Sequence, residues 1–273
     1  MPLSHFEEIG LLPFCGQMEL KFVNFFYGTN SGRWKSRHPH NRLLFILESD
    51  GASTFGDDSC VRHAERGDWF LIPPFHEIRH YHNETMLHLS IHFTLSVCGG
   101  FNPMSKNNMI FSNRDLVIVD TVMAEIRKND MLSLAVSAQV WCWTVLRRVL
   151  PEITGASISA IYANPVYAEL FDFLWKHASA QTSVGDMATF AKMGKESFVK
   201  KFVRDAGISP GKFLDRILTA HAAKMLSENR CSVKEISATL NFCSEFYFSR
   251  FFRRQTDMSP RDFRKRFSSR PVS

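Results

Sequence analysis

No uninterrupted apolar stretch in the 273-residue sequence reaches membrane-spanning length. A spanning helix needs about 20 such residues, and the richest segment, 132–146, is broken by Ser133, Ser137 and Gln139. The amino terminus, Met1-Pro-Leu-Ser-His-Phe-Glu-Glu8, has neither the basic start nor the apolar run of a secretory signal. The six cysteines, at 15, 60, 98, 142, 231 and 243, form no C-x-x-C pair. That spacing argues against a disulfide framework or a structural zinc site, and for thiols in a reducing cytoplasm. There is no Gly-rich phosphate loop, and no residue has the neighbours of a nucleophile, so an enzyme is not expected. A hydrophobic content of 45% with 22% charged residues excludes a disordered chain.

Positive charge is present but unevenly placed. Residues 1–164 hold 14 Lys and Arg against 16 Asp and Glu, whereas residues 165–273 hold 19 against 11. The whole excess of the net +6 therefore lies in the last 109 residues. A basic face can be no more than a solvated face, but an excess confined to one segment favours a polyanion partner, most commonly nucleic acid.

The same segment contains an internal repeat. Val184-Gly-Asp-Met-Ala-Thr-Phe-Ala191 resembles Val233-Lys-Glu-Ile-Ser-Ala-Thr-Leu240 at an offset of 49. Phe198-Val-Lys-Lys-Phe202 matches Phe248-Ser-Arg-Phe-Phe252 at 50, as Gly207-Ile-Ser-Pro-Gly-Lys-Phe213 matches Asp257-Met-Ser-Pro-Arg-Asp-Phe263. Each copy predicts helix, tight turn, helix. Ser183 with Asp186, and Ser232 with Glu235, have the spacing of a helix-capping box. Asn241 occupies the second turn, where its side chain tolerates a left-handed backbone; Lys192-Met193-Gly194 forms the first. Phe198 and Phe202, like Phe248 and Phe252, are spaced to anchor the second helix of each unit. This leaves Lys195, Glu196, Val199, Lys200 and Lys201 outward or at the flanks of one helix. On the other, Glu245, Phe246, Ser249, Arg250, Arg253 and Arg254 are so placed. Two such helices one DNA turn apart could enter successive major grooves, with Arg and Lys reaching bases or phosphates.

These residues resemble the C-terminal domain of the AraC/XylS family of bacterial transcription regulators. The resemblance covers Pro165–Phe267 and is most specific in Phe242-Cys-Ser-Glu-Phe-Tyr-Phe-Ser-Arg-Phe-Phe-Arg-Arg254 and Met258-Ser-Pro-Arg-Asp-Phe-Arg264. It implies two helix-turn-helix subdomains joined by a long helix, about Pro210–Ser227. Glu196, Val199 and Lys200 of the first unit, and Glu245, Phe246, Ser249 and Arg250 of the second, would then face bases. Asn241 and Asp257 stand where the family usually has glycine at a turn.

Residues 20–97 predict short strands, at Leu20–Tyr27, Leu43–Glu48, Trp69–Ile72 and Leu87–Leu95, separated by turn residues. Such spacing suggests a small barrel or jelly roll. Gly67-Asp-Trp-Phe-Leu-Ile-Pro-Pro74, preceded by His38-Pro-His40, resembles the cupin-type effector domain of many AraC-like regulators, with Phe75 where a glycine is expected. That resemblance implies sensing of a small polar ligand, often a sugar. Eight histidines fall between His38 and His92. They can serve a metal, a polar ligand or structure; no metal and no other cofactor is expected, because the glutamate of the metal-binding pattern is displaced to Glu48. Trp34 and Trp69 are candidate stacking platforms, with Arg37, His40, His80 and His92 as candidate polar contacts.

The expected architecture is α+β with two domains. Residues 1–150 form a cupin-like β-barrel or jelly roll with a C-terminal helix pair, residues 151–164 a linker, and residues 165–273 an all-α double helix-turn-helix domain. The expected partners are promoter DNA, a small-molecule effector and, through the helices of Asp115–Leu150, a second copy of the chain; no membrane is expected. A cupin-type metalloenzyme fused to a DNA-binding domain, and a DNA binder that needs no effector, are the competing readings.

Overall fold

Alternation along the strands sets the architecture, because both faces of the larger sheet are buried. The computed structural model describes residues 18–58, 60–96, 102–106, 109–153 and 165–268. Within these, nine strands make two antiparallel sheets. The first contains, in order, β1 (Glu19–Thr29), β8 (Leu87–Ser96), β3 (Asn41–Glu48), β6 (Asp68–Ile72) and β9 (Phe111–Arg114). The second contains β2 (Gly32–Arg37), β7 (Glu77–His82), β4 (Thr54–Gly56) and β5 (Val61–His63). Successive side chains on a strand point to opposite faces. Leu43, Phe45 and Leu47 therefore join Leu89, Ile91, Phe93, Trp69 and Leu71 in one core. Leu44, Ile46, Phe70 and Ile72 pack instead against Phe55 and Ile78 of the second sheet.

Helices α1 (Leu116–Lys128) and α2 (Met131–Ile153) cover the outer face of the first sheet. Asp115 caps α1 by accepting the N–H of Ile118. The face α2 buries is Ala138, Trp141, Cys142, Val145, Leu146 and Val149. Val136 and Val140, an apolar pair at i,i+4 on the same helix, are more than half exposed. α2 is apolar nearly all round, so its periodicity does not choose a face. The helix also runs through Pro151 to Ile153, past the expected start of the linker at residue 151. A proline in the last turn removes only one backbone donor. The remainder of the expected linker, residues 154–164, lies outside the described residues.

The C-terminal part is helical: α3 (Pro165–His177), α4 (Val184–Phe190), α5 (Lys195–Ala206), α6 (Pro210–Glu228), α7 (Val233–Thr239), α8 (Glu245–Thr256) and α9 (Pro260–Phe267). Both capping boxes form, Ser183 with Asp186 and Ser232 with Glu235. Ser209-Pro210 and Ser259-Pro260 start α6 and α9 alike, the serine capping and the proline supplying a helical φ without a donor to orphan. α6 joins two cores: Phe213, Leu214 and Ile217 pack with Phe198 and Phe202, while Leu218, Ala222 and Leu226 pack with Phe248 and Phe252. No helix among the described residues is long and apolar enough to cross a membrane.

Candidate functional site: two recognition helices and a histidine-lined cavity

Each helix-turn-helix is set by one left-handed residue and two phenylalanines. Lys192 (φ 53°) and Asn241 (φ 55°) turn the chain, and Phe198, Phe202, Phe248 and Phe252 are fully buried. Those anchors fix which face each second helix turns outward. On α5, Lys195, Glu196 and Lys200 are exposed and Val199 is half-buried. On α8, Glu245, Phe246, Arg250, Arg253 and Arg254 are exposed and Ser249 is half-buried. The Arg250 guanidinium lies 5.8 Å from the Phe246 ring centroid, which gives that exposed ring a cationic neighbour.

Lys201 does not share this exposed face. Its Nζ is 2.7 Å from Asp205 Oδ2 and 4.8 Å from the Tyr167 ring centroid. Asp205 also accepts from Arg204 Nε and Tyr167 Oη. Burial pushes its carboxyl up, but hydrogen bonds from Lys201, Arg204 and Tyr167 outweigh this and hold it below the usual range. Lys201 ties α5 to α3 through that network.

The gap between the two sheets opens into a cavity of about 250 Å³. Its walls follow the strand alternation: Trp34 and Ser36 on β2, Arg42 and Leu44 on β3, His80 and His82 on β7, and His88, Ser90 and His92 on β8. Arg266 and Phe267, at the end of α9, close its mouth. A hydrogen-bonded chain lines one side. Arg42 Nη1 donates to Ser36 Oγ (2.7 Å), leaving the Ser36 hydroxyl to donate to His80 Nε2 (2.7 Å). By the same logic His80 Nδ1 donates to His82 Nε2 (3.3 Å) and His82 Nδ1 to Asn30 Oδ1 (2.6 Å). Across the cavity, His40 Nε2 and His92 Nδ1 are 2.8 Å apart, and His92 Nε2 meets Ser90 Oγ at 3.1 Å.

Such chains require neutral imidazoles, and the environment enforces neutrality. Burial pushes His40 and His82 down to about 3 and His88 to about 4. Burial, reinforced by the positive charge of Arg42, takes His38, His80 and His92 well below their ordinary value. Burial likewise lowers Arg42 to about 9, which leaves it charged at neutral pH. Its Nε and Nη2 are buried with no hydrogen-bond partner.

Of the candidate contacts, Trp34, His80 and His92 meet at the cavity, Trp34 stacked on His80 at 4.8 Å. His40 reaches it through His92. Two expected contacts do not. Trp69 lies on the opposite face of its strand, in the core beneath α2. Arg37 points out of the barrel to the C-terminal domain, where Nε and Nη2 donate to Asp257 Oδ2 (2.9 Å) and Oδ1 (2.7 Å). Sequence reasoning passed over Ser36, Arg42, His82, His88, Arg266 and Phe267. Two-residue spacing of His88, Ser90 and His92, and a lone arginine, Arg42, heading the apolar run Leu43–Leu47, were the available signals.

His38, His40 and His92 offer ligand atoms that all lie within 4.8 Å of one another. Three imidazoles could hold a transition-metal ion. Arg42 and Arg266 oppose a cation there, and among the described residues no carboxylate lines the cavity.

Several side-chain contacts join the two halves. Phe267 packs edge-on to His38 and His40, at 5.1 and 5.7 Å between centroids. Phe75, in a left-handed conformation (φ 61°), places its ring 5.1 Å from the Arg216 guanidinium of α6. Asp257, also left-handed (φ 59°), carries the Arg37 pair at the end of α8.

Comparison with known proteins places this geometry. Residues 187–266 match the helix-turn-helix domain family. An uncharacterized HTH-type transcriptional regulator of Haemophilus influenzae is 31% identical over 85 residues, covering 31% of this chain and 28% of that protein. The HTH-type transcriptional activator RhaR of Yersinia pseudotuberculosis is 33% identical over 101 residues, 35% of each chain. The chain thus matches about a third of the length of these curated relatives. ToxT of Vibrio cholerae, solved with an unsaturated fatty acid bound, superposes over 93% of this chain and 98% of its own with a TM-score of 0.58 at 9% identity. A second ToxT structure covers 93% and 100% with a TM-score of 0.60 at 10% identity. Both parts of the fold are therefore shared with ToxT, a β-rich part followed by a double helix-turn-helix. Residues 187–266 are therefore a helix-turn-helix domain similar to that of these transcription regulators.

Proposed function

We propose that this chain is a one-component regulator in the cytoplasm, in which residues 1–150 form a cupin-like sensor of a small polar ligand and residues 165–273 read promoter DNA. The carrying observation is that α5 and α8, related by the repeat, bury paired phenylalanines and turn Lys195, Lys200, Arg250 and Arg253 to solvent. Lys200 and Arg250 are the donors suited to base edges or phosphates, and Phe246 suits a thymine methyl. Phosphate contacts supply most of the affinity, so binding falls steeply with salt. Sensing is supported by the cavity and by its closure with Arg266 and Phe267, which belong to the DNA-binding domain. A ligand that changes this closure favours one arrangement of the halves over another, as coupling requires. The fatty acid in ToxT supports a small-molecule site in this fold. Exposed Leu132, Val136 and Val140, four residues apart along α2, are the surface offered for a homodimer.

The test is the pair Lys200→Ala and Arg250→Ala, measured by fluorescence anisotropy on genomic fragments selected by the wild-type protein. Each change is expected to cost roughly 1–3 kcal/mol of DNA affinity at moderate salt, and the double change more than either. Undiminished binding of the double variant would assign DNA recognition to another surface.

A further inference from the structure

We propose that the barrel cavity binds a small organic acid, its carboxylate seated on the Nε–Nη2 edge of Arg42. This rests on the reading of the barrel as a ligand-binding domain and names the chemical class of its ligand. Arg42 is 97% buried (relative exposure 3%). One of its nitrogens, Nη1, is satisfied by Ser36, while Nε and Nη2 have no partner. Those two nitrogens form one edge of the guanidinium, the planar fork that matches the two oxygens of a carboxylate. A buried charge without counter-charge is among the least favourable arrangements in a fold, and it persists where function needs it. Among the described residues no carboxylate lines the cavity, and none of them supplies the counter-charge there.

The surroundings select further. Arg266 adds a second positive group at the mouth. The six histidines are held neutral, so they contribute hydrogen-bonding edges rather than charge. Trp34 and Phe267 provide apolar walls. A cation at His38, His40 and His92 would face two guanidinium groups, and a neutral sugar would leave Arg42 uncompensated. The volume of about 250 Å³ is that of about eight waters in the liquid, so the acid is short, with roughly as many non-hydrogen atoms.

The experiment is thermal melting of the full chain with formate, acetate or benzoate, against chloride at equal ionic strength, with glucose and Zn²⁺ as controls. At about ten times its Kd, benzoate should raise Tm by roughly 2–4 °C and saturate. Arg42→Met should melt no lower than wild type without ligand and lose that rise. Arg42→Lys, which keeps the charge and removes the fork, should weaken benzoate by about tenfold or more. The proposal is overturned if none of the three acids shifts wild type at up to about 50 mM, a range that reaches even millimolar affinity. It is also overturned if Arg42→Met keeps the shift, if both Arg42 variants unfold more readily than wild type without ligand, or if Zn²⁺ binds stoichiometrically. A saturable glucose response indifferent to Arg42 would overturn the acid while leaving the ligand-binding reading in place.

Discussion

At the scale of single residues, two departures from glycine contribute to the contact between the halves. Phe75 and Asp257 stand where the resembled patterns have glycine, and both adopt left-handed backbone. For an L-residue that conformation costs about 1–2 kcal/mol, less for Asp than for Phe. Each side chain gives something back across the interface, Phe75 to Arg216 and Asp257 to Arg37. Both members of the Arg37–Asp257 pair are about a third or more exposed, so it contributes about 1 kcal/mol or less to stability despite bidentate geometry. Replacing both with glycine, Phe75→Gly with Asp257→Gly, is therefore expected to relieve strain and cut two ties at once. Melting should move by only a few degrees, while amide hydrogen exchange accelerates in residues 36–40 and 263–267. Unchanged exchange there would show that Phe267 on the histidines holds the halves without them.

At the scale of elements, the C-terminal helices were legible because their signals are local. Capping boxes, Ser-Pro starts and paired phenylalanines each fix a boundary or a face within a few residues. Ser232→Ala should cost about 1 kcal/mol through loss of the α7 cap, read as a lower midpoint in urea unfolding followed by helical circular dichroism. A change below about 0.3 kcal/mol would mean that packing of Val233 and Ile236 alone sets that helix start. The i,i+4 spacing of Lys201 and Asp205 was equally local, and the two form an ion pair along α5. The face of α2 was not legible, since Val136 and Val140 compete with Trp141 and Val145 on chemistry that hydrophobicity alone does not rank.

At the scale of the whole molecule, six neutral histidines in one half and none of that cluster in the other predict unequal acid stability. In an unfolded chain they titrate near 6.5. Folded, His40 and His82 titrate at about 3 and His88 at about 4. Between these limits the unfolded state binds more protons, so stability is fully present above pH 6.5 and is lost as pH falls toward 4. Each such histidine contributes a slope of about 1 kcal/mol per pH unit. Arg42 and Arg266 sharpen the effect by opposing protonation of His38, His80 and His92. Thermal melting at pH 7.5 and pH 5 should show the β-rich half losing stability by many degrees while the helical half changes little. Equal shifts of both transitions would contradict the neutral cluster.

The sequence by itself determined the double helix-turn-helix, its repeat and most of its outward cations, because capping, turns and anchor spacing act over four or five residues. It also determined that the N-terminal half is built of short strands. What it left open was which side of each buried strand meets the cavity. Trp69 and Phe70 are adjacent and apolar, and only the second sheet on one face and α2 on the other assign Phe70 to the barrel interior and Trp69 to the outer core. The same long-range pairing turned Arg37 toward Asp257, 220 residues away, and brought Arg42 beneath Phe267 from the far end of the chain. Strand parity is local, but the choice between two buried faces belongs to the elements that cover them.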